Sequence, residues 1–141
     1  MTRVLKLYEA VMSIISLICY ISCHRYTIEQ FTSQTRGLGM ELLGLLSEGM
    51  GLHPDYFQGD ISGGDVILNV NHYPSCPNPD KALGQPPHCD RNLITLLLPG
   101  AVNGLEVSYK GDWIKVDPAP SAFIVNFGQQ LEVIDHFKYA G

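Results

Sequence analysis

The feature that most constrains this chain is a series of short apolar segments that begins beyond Gly59. The segments are "DVILNVNHYP", "NLITLLL", "GLEVSYKGDWIKVDP", "SAFIVNFG" and "QLEVI". Each has the length of a β-strand or a pair of strands, and the stretches between them are rich in proline and glycine. Lys110-Gly111-Asp112 predicts a tight hairpin turn within the third segment. Many short strands at similar spacing favour a sandwich or barrel.

An amphipathic helix precedes these strands. Its apolar stripe takes alternating steps of three and four through Ile28, Phe31, Thr35, Leu38, Leu42, Leu45 and Gly49. This spacing predicts a helix whose stripe packs on the outside of the barrel. Gly49 and Gly51 indicate where the helix ends. Pro54 in "HPDYF" predicts the first turn of a short second helix.

The N-terminal stretch Val11–Cys23 is continuously apolar and follows Arg3 and Lys6. It is shorter than the ~20 residues of a typical membrane-spanning helix, so no stable membrane association is expected. We interpret it as a buried helix or as a segment foreign to the domain that follows. The alternative is a secretory signal, which has the same charged and apolar regions, or an anchor.

Composition limits the class of protein. With 141 residues and 16% charged side chains, the chain fits one globular domain. A net charge of −5 and the lack of a long basic run argue against nucleic acid as a partner. The four cysteines show no C-x-x-C spacing, which predicts free thiols in the reducing cytoplasm. A true N-terminal signal would instead indicate the secretory route.

His88 and Asp90 lie two residues apart at the entrance to "NLITLLL". Residues i and i+2 of an extended chain project to the same side, about 6.6 Å apart at Cα, so Cys89 points away. One imidazole and one carboxylate suit Fe(II), and two histidines with one carboxylate form the facial triad of non-haem iron oxygenases. Taken alone, the pair also fits an exposed histidine with a capping aspartate, or a zinc site that includes a cysteine.

Three motifs in order narrow this choice. They are N-x-Y-P-x-C-P at 71–77, H-x-D-x-x-x-x-T-L-L at 88–97 and W-I-x-V-x-P at 113–118. With them, residues 35–133 resemble the plant Fe(II)- and 2-oxoglutarate-dependent dioxygenases. The resemblance is to the small-molecule oxygenases such as hyoscyamine 6-hydroxylase, flavanone hydroxylase and the mugineic-acid dioxygenases.

The resemblance implies a fold that agrees with the strand pattern. The family fold is a double-stranded β-helix, or jelly roll, with helices on its outside. We therefore expect a mainly β protein with flanking helices (α+β) and an incomplete jelly roll. The expected divisions are an atypical segment at 1–25, a helical segment at 26–58 that packs on the barrel, and a partial oxygenase domain at 59–141.

The resemblance also implies roles for individual residues. His88 and Asp90 match two of the three iron ligands. Tyr73 matches the tyrosine that hydrogen-bonds the co-substrate carboxylate, and Asn71 matches an asparagine near it. The implied cofactors are Fe(II), 2-oxoglutarate and O2, with ascorbate as reductant. The implied reaction oxidises a small specialised metabolite and releases succinate and CO2.

The chain departs from the family pattern in two motifs. The family's second histidine, in S-x-x-H-R, and its Arg-x-Ser clamp for 2-oxoglutarate do not occur in these residues. His136 falls too early in the pattern to replace the histidine. We therefore expect a truncated chain that binds iron weakly, is inactive alone and self-associates through unpaired barrel edges. The alternative is a non-catalytic relic or binding protein.

Overall fold

The computed structural model describes residues 14–58 and 66–139, with side chains described for 24–58 and 66–134. These residues belong to two compact units that divide between Val70 and Asn71. The helices are α1 (Ile14–Gly49), a 3-10 turn (Pro79–Lys81) and α2 (Gln129–Tyr139), and the strands are β1 (Ile94–Leu97), β2 (Glu106–Tyr109), β3 (Asp112–Lys115) and β4 (Ile124–Phe127).

Helix α1 has a kink at His24, where φ is −115° and ψ is 15°. An ion pair follows the kink, with Arg25 Nε donating to Glu29 Oε1 at 2.7 Å. The hydrogen bond to Glu29, and then its charge, raise the pKa of Arg25. The helix beyond the kink contains the one predicted from Ile28.

The N-terminal part of α1 includes much of the apolar stretch Val11–Cys23. Residues 1–13 lie outside the described residues, so the signal and the foreign segment stay predictions. Among the described residues, no helix is both long and apolar enough to cross a membrane.

The inward face of α1 differs from the predicted stripe. Ile28 and Thr35 are half-buried as expected, but Leu38 and Leu45 are exposed. The buried positions are instead Leu43 and Ser47. The predicted stripe repeats every 3.5 residues and drifts about 20° per heptad on a straight helix of 3.6 residues per turn. Over three heptads this drift moves the buried face onto neighbouring residues.

The end of α1 is a glycine cap. Leu52 N donates to Ser47 O and Gly51 N to Glu48 O, both at 2.8 Å, and Gly51 has a φ of 64°. This pair of bonds is a Schellman motif, and it confirms Gly51 as a helix stop. The predicted second helix at "HPDYF" is wrong, because two consecutive turns occupy these residues. Their bonds run from Tyr56 N to His53 O at 2.9 Å and from Gln58 N to Asp55 O at 2.8 Å.

The four strands form two antiparallel pairs. β1 pairs with β4 in a register that places Ile94 opposite Phe127. Between them in sequence, β2 and β3 form a hairpin. Its turn residues Lys110 and Gly111 have φ values of 52° and 94°, which is the pattern of a type I′ turn. The strands predicted in "NLITLLL", "GLEVSYKGDWIKVDP" and "SAFIVNFG" are confirmed.

Two strand predictions are wrong. "QLEVI" lies in α2, where Leu131 is buried and Val133 is exposed, although a strand would place both on one face. The described part of "DVILNVNHYP" is irregular. Its residues Val66, Ile67, Leu68 and Val70 are exposed. No strand in the described ranges pairs with them, and an apolar run forms a strand only when a neighbour accepts its backbone hydrogen bonds.

Candidate metal centre

The structure brings His88 and Asp90 together just before β1. His88 Nε2 lies 3.6 Å from Asp90 Oδ1. Both side chains are largely buried, with exposed fractions of 30% and 19%. The two atoms therefore face one point that solvent reaches only in part.

A backbone carbonyl fixes the orientation of the His88 ring. His88 Nδ1 lies 3.0 Å from the carbonyl oxygen of Pro86. A carbonyl oxygen only accepts hydrogen bonds, so the Nδ1 atom carries the proton. In the neutral ring the other nitrogen, Nε2, then has the lone pair, and this atom lies 3.6 Å from Asp90 Oδ1. Histidines that bind metals typically donate their other ring N–H in this way.

Two side chains fix the Asp90 carboxylate. Its Oδ2 atom accepts a hydrogen bond from Thr95 Oγ1 at 2.6 Å and one from Asn126 Nδ2 at 2.9 Å. Thr95 and Asn126 are direct register partners on β1 and β4. Both donors thus bind Oδ2. The other oxygen, Oδ1, is the one that lies 3.6 Å from His88 Nε2.

Asn92 in turn holds Thr95 through hydrogen bonds. Its Nδ2 atom donates to Thr95 Oγ1 at 3.0 Å and to the carbonyl oxygen of Ile94 at 3.1 Å. The Asn92 amide thus donates to the hydroxyl oxygen that itself donates to Asp90. The loop between Asp90 and β1 is tied to the strand by these bonds.

The start of α2 packs against the same loop through the backbone. Gln129 N donates to Asp90 O, and Gly128 N donates to Leu93 O, both at 2.8 Å. Gly128 comes so close that a Cβ atom there would lie 1.8 Å from the carbonyl oxygen of Asn92. Glycine is therefore the only residue that fits this contact without movement of the backbone.

A second H-x-D pair shows that spacing alone does not define this site. His53 Nδ1 also lies 3.6 Å from a carboxylate oxygen, Oδ2 of Asp55. These side chains are 76% and 66% exposed, and His53 Nδ1 accepts a bond from the Asp55 backbone N–H at 3.3 Å. The His53 pair therefore lacks the burial of the His88 pair, and the ring nitrogen near its carboxylate already accepts a hydrogen bond.

The residues present fit one side of an Fe(II) site. An imidazole nitrogen and a carboxylate oxygen are ligands that Fe(II) takes in sites of two histidines and one carboxylate. His88 Nε2 and Asp90 Oδ1 lie 3.6 Å apart, close enough for both to bind one ion. Within the described ranges no group of three His, Cys, Asp or Glu side chains could hold a metal. The described residues thus offer two candidate ligands, and no closed zinc site.

The remaining predicted site residues lie in the irregular segment before the 3-10 turn. Tyr73 is half-buried and Asn71 is exposed. Their binding of a co-substrate stays a prediction. Sequence reasoning missed Thr95 and Asn126 as parts of the site. The signals were a threonine within the H-x-D-x-x-x-x-T-L-L motif and a lone amide in the apolar segment "FIVNF".

Known protein families and curated proteins match most of this chain. The family model described as 2OG-Fe(II) oxygenase superfamily matches residues 64–140. Two curated relatives come from Hordeum vulgare. The 2'-deoxymugineic-acid 2'-dioxygenase is 84% identical over 110 residues, which cover 78% of this chain and 32% of that protein. The mugineic-acid 3-dioxygenase is 59% identical over 110 residues, which again cover 78% of this chain and 32% of that protein. The chain therefore spans about a third of the length of these relatives.

A solved structure shows the same fold. The crystal structure of JOX2 in complex with 2OG, Fe and JA matches with a TM-score of 0.68 at 38% identity. The match covers 77% of this chain and 33% of that one. The predicted fold class, a partial jelly roll with flanking helices, is confirmed.

Proposed function

The chain belongs to the 2OG-Fe(II) oxygenase superfamily, and on that premise we propose that it carries two of the iron ligands of a 2-oxoglutarate-dependent oxygenase. The proposed reaction oxidises a small specialised metabolite and releases succinate and CO2. His88 Nε2 and Asp90 Oδ1 are the proposed ligand atoms.

One observation carries this proposal. The free nitrogen of His88 and the free oxygen of Asp90 face each other at 3.6 Å. Each ligand is held from behind by hydrogen bonds to its other polar atom. Such outer bonds orient metal ligands before the metal arrives. The exposed His53–Asp55 pair has the same spacing without this support.

Bound Fe(II) would supply the activation of O2 that is coupled to oxidative decarboxylation of 2-oxoglutarate. The protein's part is to bind, orient and exclude water. Asn71 and Tyr73 are the proposed contacts of the 2-oxoglutarate carboxylate, since they match the family motif. Ascorbate is the proposed reductant that keeps the iron in the Fe(II) state.

The proposed substrate is 2'-deoxymugineic acid or a small metabolite like it. Support comes from the high identity to the barley 2'-deoxymugineic-acid 2'-dioxygenase. Relatives with other substrates are less similar, such as the Arabidopsis thaliana flavonol synthase/flavanone 3-hydroxylase at 37% identity.

A chimera tests the proposed function. Residues 64–140 replace the matching segment of the barley 2'-deoxymugineic-acid 2'-dioxygenase, and succinate release from 2-oxoglutarate is measured with 2'-deoxymugineic acid. We expect turnover that requires Fe(II) and falls to background in His88→Ala and Asp90→Ala. Asp80→Asn, which changes an exposed carboxylate outside the site, serves as the control and retains activity. Full turnover by the His88→Ala chimera contradicts the proposal.

Two further properties belong to this proposal. We infer a cytoplasmic location, because the four cysteines of the sequence show no C-x-x-C spacing, which favours free thiols in a reducing compartment. We also infer that copies of the chain associate through the exposed apolar segment Val66–Val70. A segment with exposed apolar side chains and a backbone that pairs with no strand is a common site of association.

A further inference from the structure

We propose that Thr95 and Asn126 are positioning residues that make Asp90 bind its metal through a single oxygen. The inference rests on the proposed function, since it concerns the same metal site. It assigns Asn92 the task of orienting the Thr95 hydroxyl. Neither Thr95 nor Asn126 would touch the metal.

The first step is the choice of oxygen. Both hydrogen bonds to the carboxylate end on Oδ2, at 2.6 Å from Thr95 and 2.9 Å from Asn126. Two donors engage the lone pairs of that oxygen. For Asp90 to bind a cation through both oxygens, Oδ2 would have to give up one or both of these bonds. The bonds therefore favour coordination through Oδ1, the oxygen that faces His88.

The second step concerns the single proton of the Thr95 hydroxyl. Thr95 Oγ1 lies 2.6 Å from Asp90 Oδ2 but 3.4 Å from Asn92 Oδ1, so the shorter contact to the carboxylate takes the proton. Asn92 Nδ2 then donates to the hydroxyl oxygen at 3.0 Å. Donation to a hydroxyl strengthens the bond that the hydroxyl itself donates.

The third step is the rigidity of the two donors. Thr95 and Asn126 are direct partners in the β1–β4 ladder, so the backbone fixes their separation. Side chains on paired strands hold a geometry better than side chains on loops.

Coordination through one oxygen leaves one more position on the metal open. An oxygenase site needs open positions for its co-substrate and O2.

The test uses the 141-residue chain with Mn(II) as a probe, because water-proton relaxation counts the waters on bound Mn(II). The double variant Thr95→Val/Asn126→Ala frees Asp90 Oδ2. We expect one water fewer on each bound Mn(II) and an affinity about tenfold lower, the usual effect of losing outer hydrogen bonds. Thr95→Ser alone keeps the hydroxyl, so its water count and its Mn(II) affinity should equal those of the parent chain. An unchanged water count in the double variant overturns the proposal.

A matched control separates positioning from folding. Thr32→Val removes a hydroxyl that bonds Ile28 O in α1, away from the site, and leaves the Mn(II) values unchanged. Urea unfolding of each variant reports any general loss of stability. The positioning role is contradicted if the number of waters on Mn(II) changes with the stability of each variant and not with the presence of the Thr95 hydroxyl.

A metal-free measurement keeps the inference distinct from the proposed function. The side-chain amide protons of Asn126 should exchange slowly with solvent in NMR spectra, and Asp90→Ala should remove this protection. Fast exchange in the parent chain overturns the proposal. Slow exchange together with Mn(II) binding that ignores His88→Ala supports the positioning contacts and contradicts the proposed metal site.

Discussion

Thr95 on β1 and Asn126 on β4 face each other across the ladder and donate to the same oxygen of Asp90, at 2.6 Å and 2.9 Å. The sheet therefore fixes the Asp90 carboxylate, although Asp90 itself lies in the loop before β1. The start of α2 completes the support through the bond from Gln129 N to Asp90 O. Mutations in three different elements should thus affect one carboxylate.

Gly128 should be the most sensitive glycine of the site. In Gly128→Ala the new methyl group overlaps the Asn92 carbonyl, so backbone must move and the unfolding free energy should fall by about 1–3 kcal/mol or more. Gly100→Ala is the control, because no atom lies within 4 Å of a Cβ there. Urea unfolding measures both variants. Equal stability of the two would contradict the close approach at Gly128.

Phe57 should dominate the stability of its unit. Its side chain is fully buried at 0% exposure, so Phe57→Ala should cost about 3–5 kcal/mol. The adjacent Tyr56 is exposed and touches Phe57 edge to face, with ring centroids 5.1 Å apart. Tyr56→Ala should cost only about 1 kcal/mol. Chemical denaturation compares the two, and a larger loss for Tyr56→Ala would refute the assignment.

The hairpin turn should accept a better turn residue. Lys110 has a positive φ of 52°, which asparagine adopts more readily than lysine. We expect Lys110→Asn to raise the unfolding free energy by about 0.5 kcal/mol. Lys115→Asn, in the extended strand β3, should lower it slightly, because asparagine is unfavourable in strands. Thermal unfolding distinguishes the two, and a loss in Lys110→Asn would exclude the turn.

Association of the chain should depend on the segment Val66–Val70. Ile67 is 77% exposed within this run of apolar residues. Ile67→Lys should shift sedimentation toward the monomer, since a charge there opposes burial at a contact. Val102→Lys changes an isolated apolar residue of even greater exposure and should leave the distribution as it is. A parent chain that sediments as a monomer rules out this association.

The strands of the β2–β3 hairpin were predictable from the sequence because their signals are local. Alternating apolar residues and a Lys110-Gly111 turn define β2 and β3 without reference to the rest of the molecule. The helix at "QLEVI" was missed, since a short apolar run fits a strand and a helix equally well. Burial of Leu131 with exposure of Val133 decides between them, and only the fold shows it.

The spacing of His88 and Asp90 was also a local signal, but the hydrogen bond from Asn126 that holds Asp90 is not local in sequence. His88 and Asp90 stand two residues apart, so the sequence alone suggested a shared direction. Asn126 reaches Asp90 only through the register of β1 and β4. Register depends on the pairing of distant segments, and no short motif encodes it.

An anaerobic Fe(II) titration of the 141-residue chain tests the proposed metal site most directly. With two ligands from the described residues, we predict weak binding that His88→Ala and Asp90→Ala each reduce at least about tenfold. His53→Ala removes a histidine with the same spacing to its aspartate and should leave binding unchanged. Fe(II) binding that persists in His88→Ala and Asp90→Ala would contradict the assignment of this pair as metal ligands.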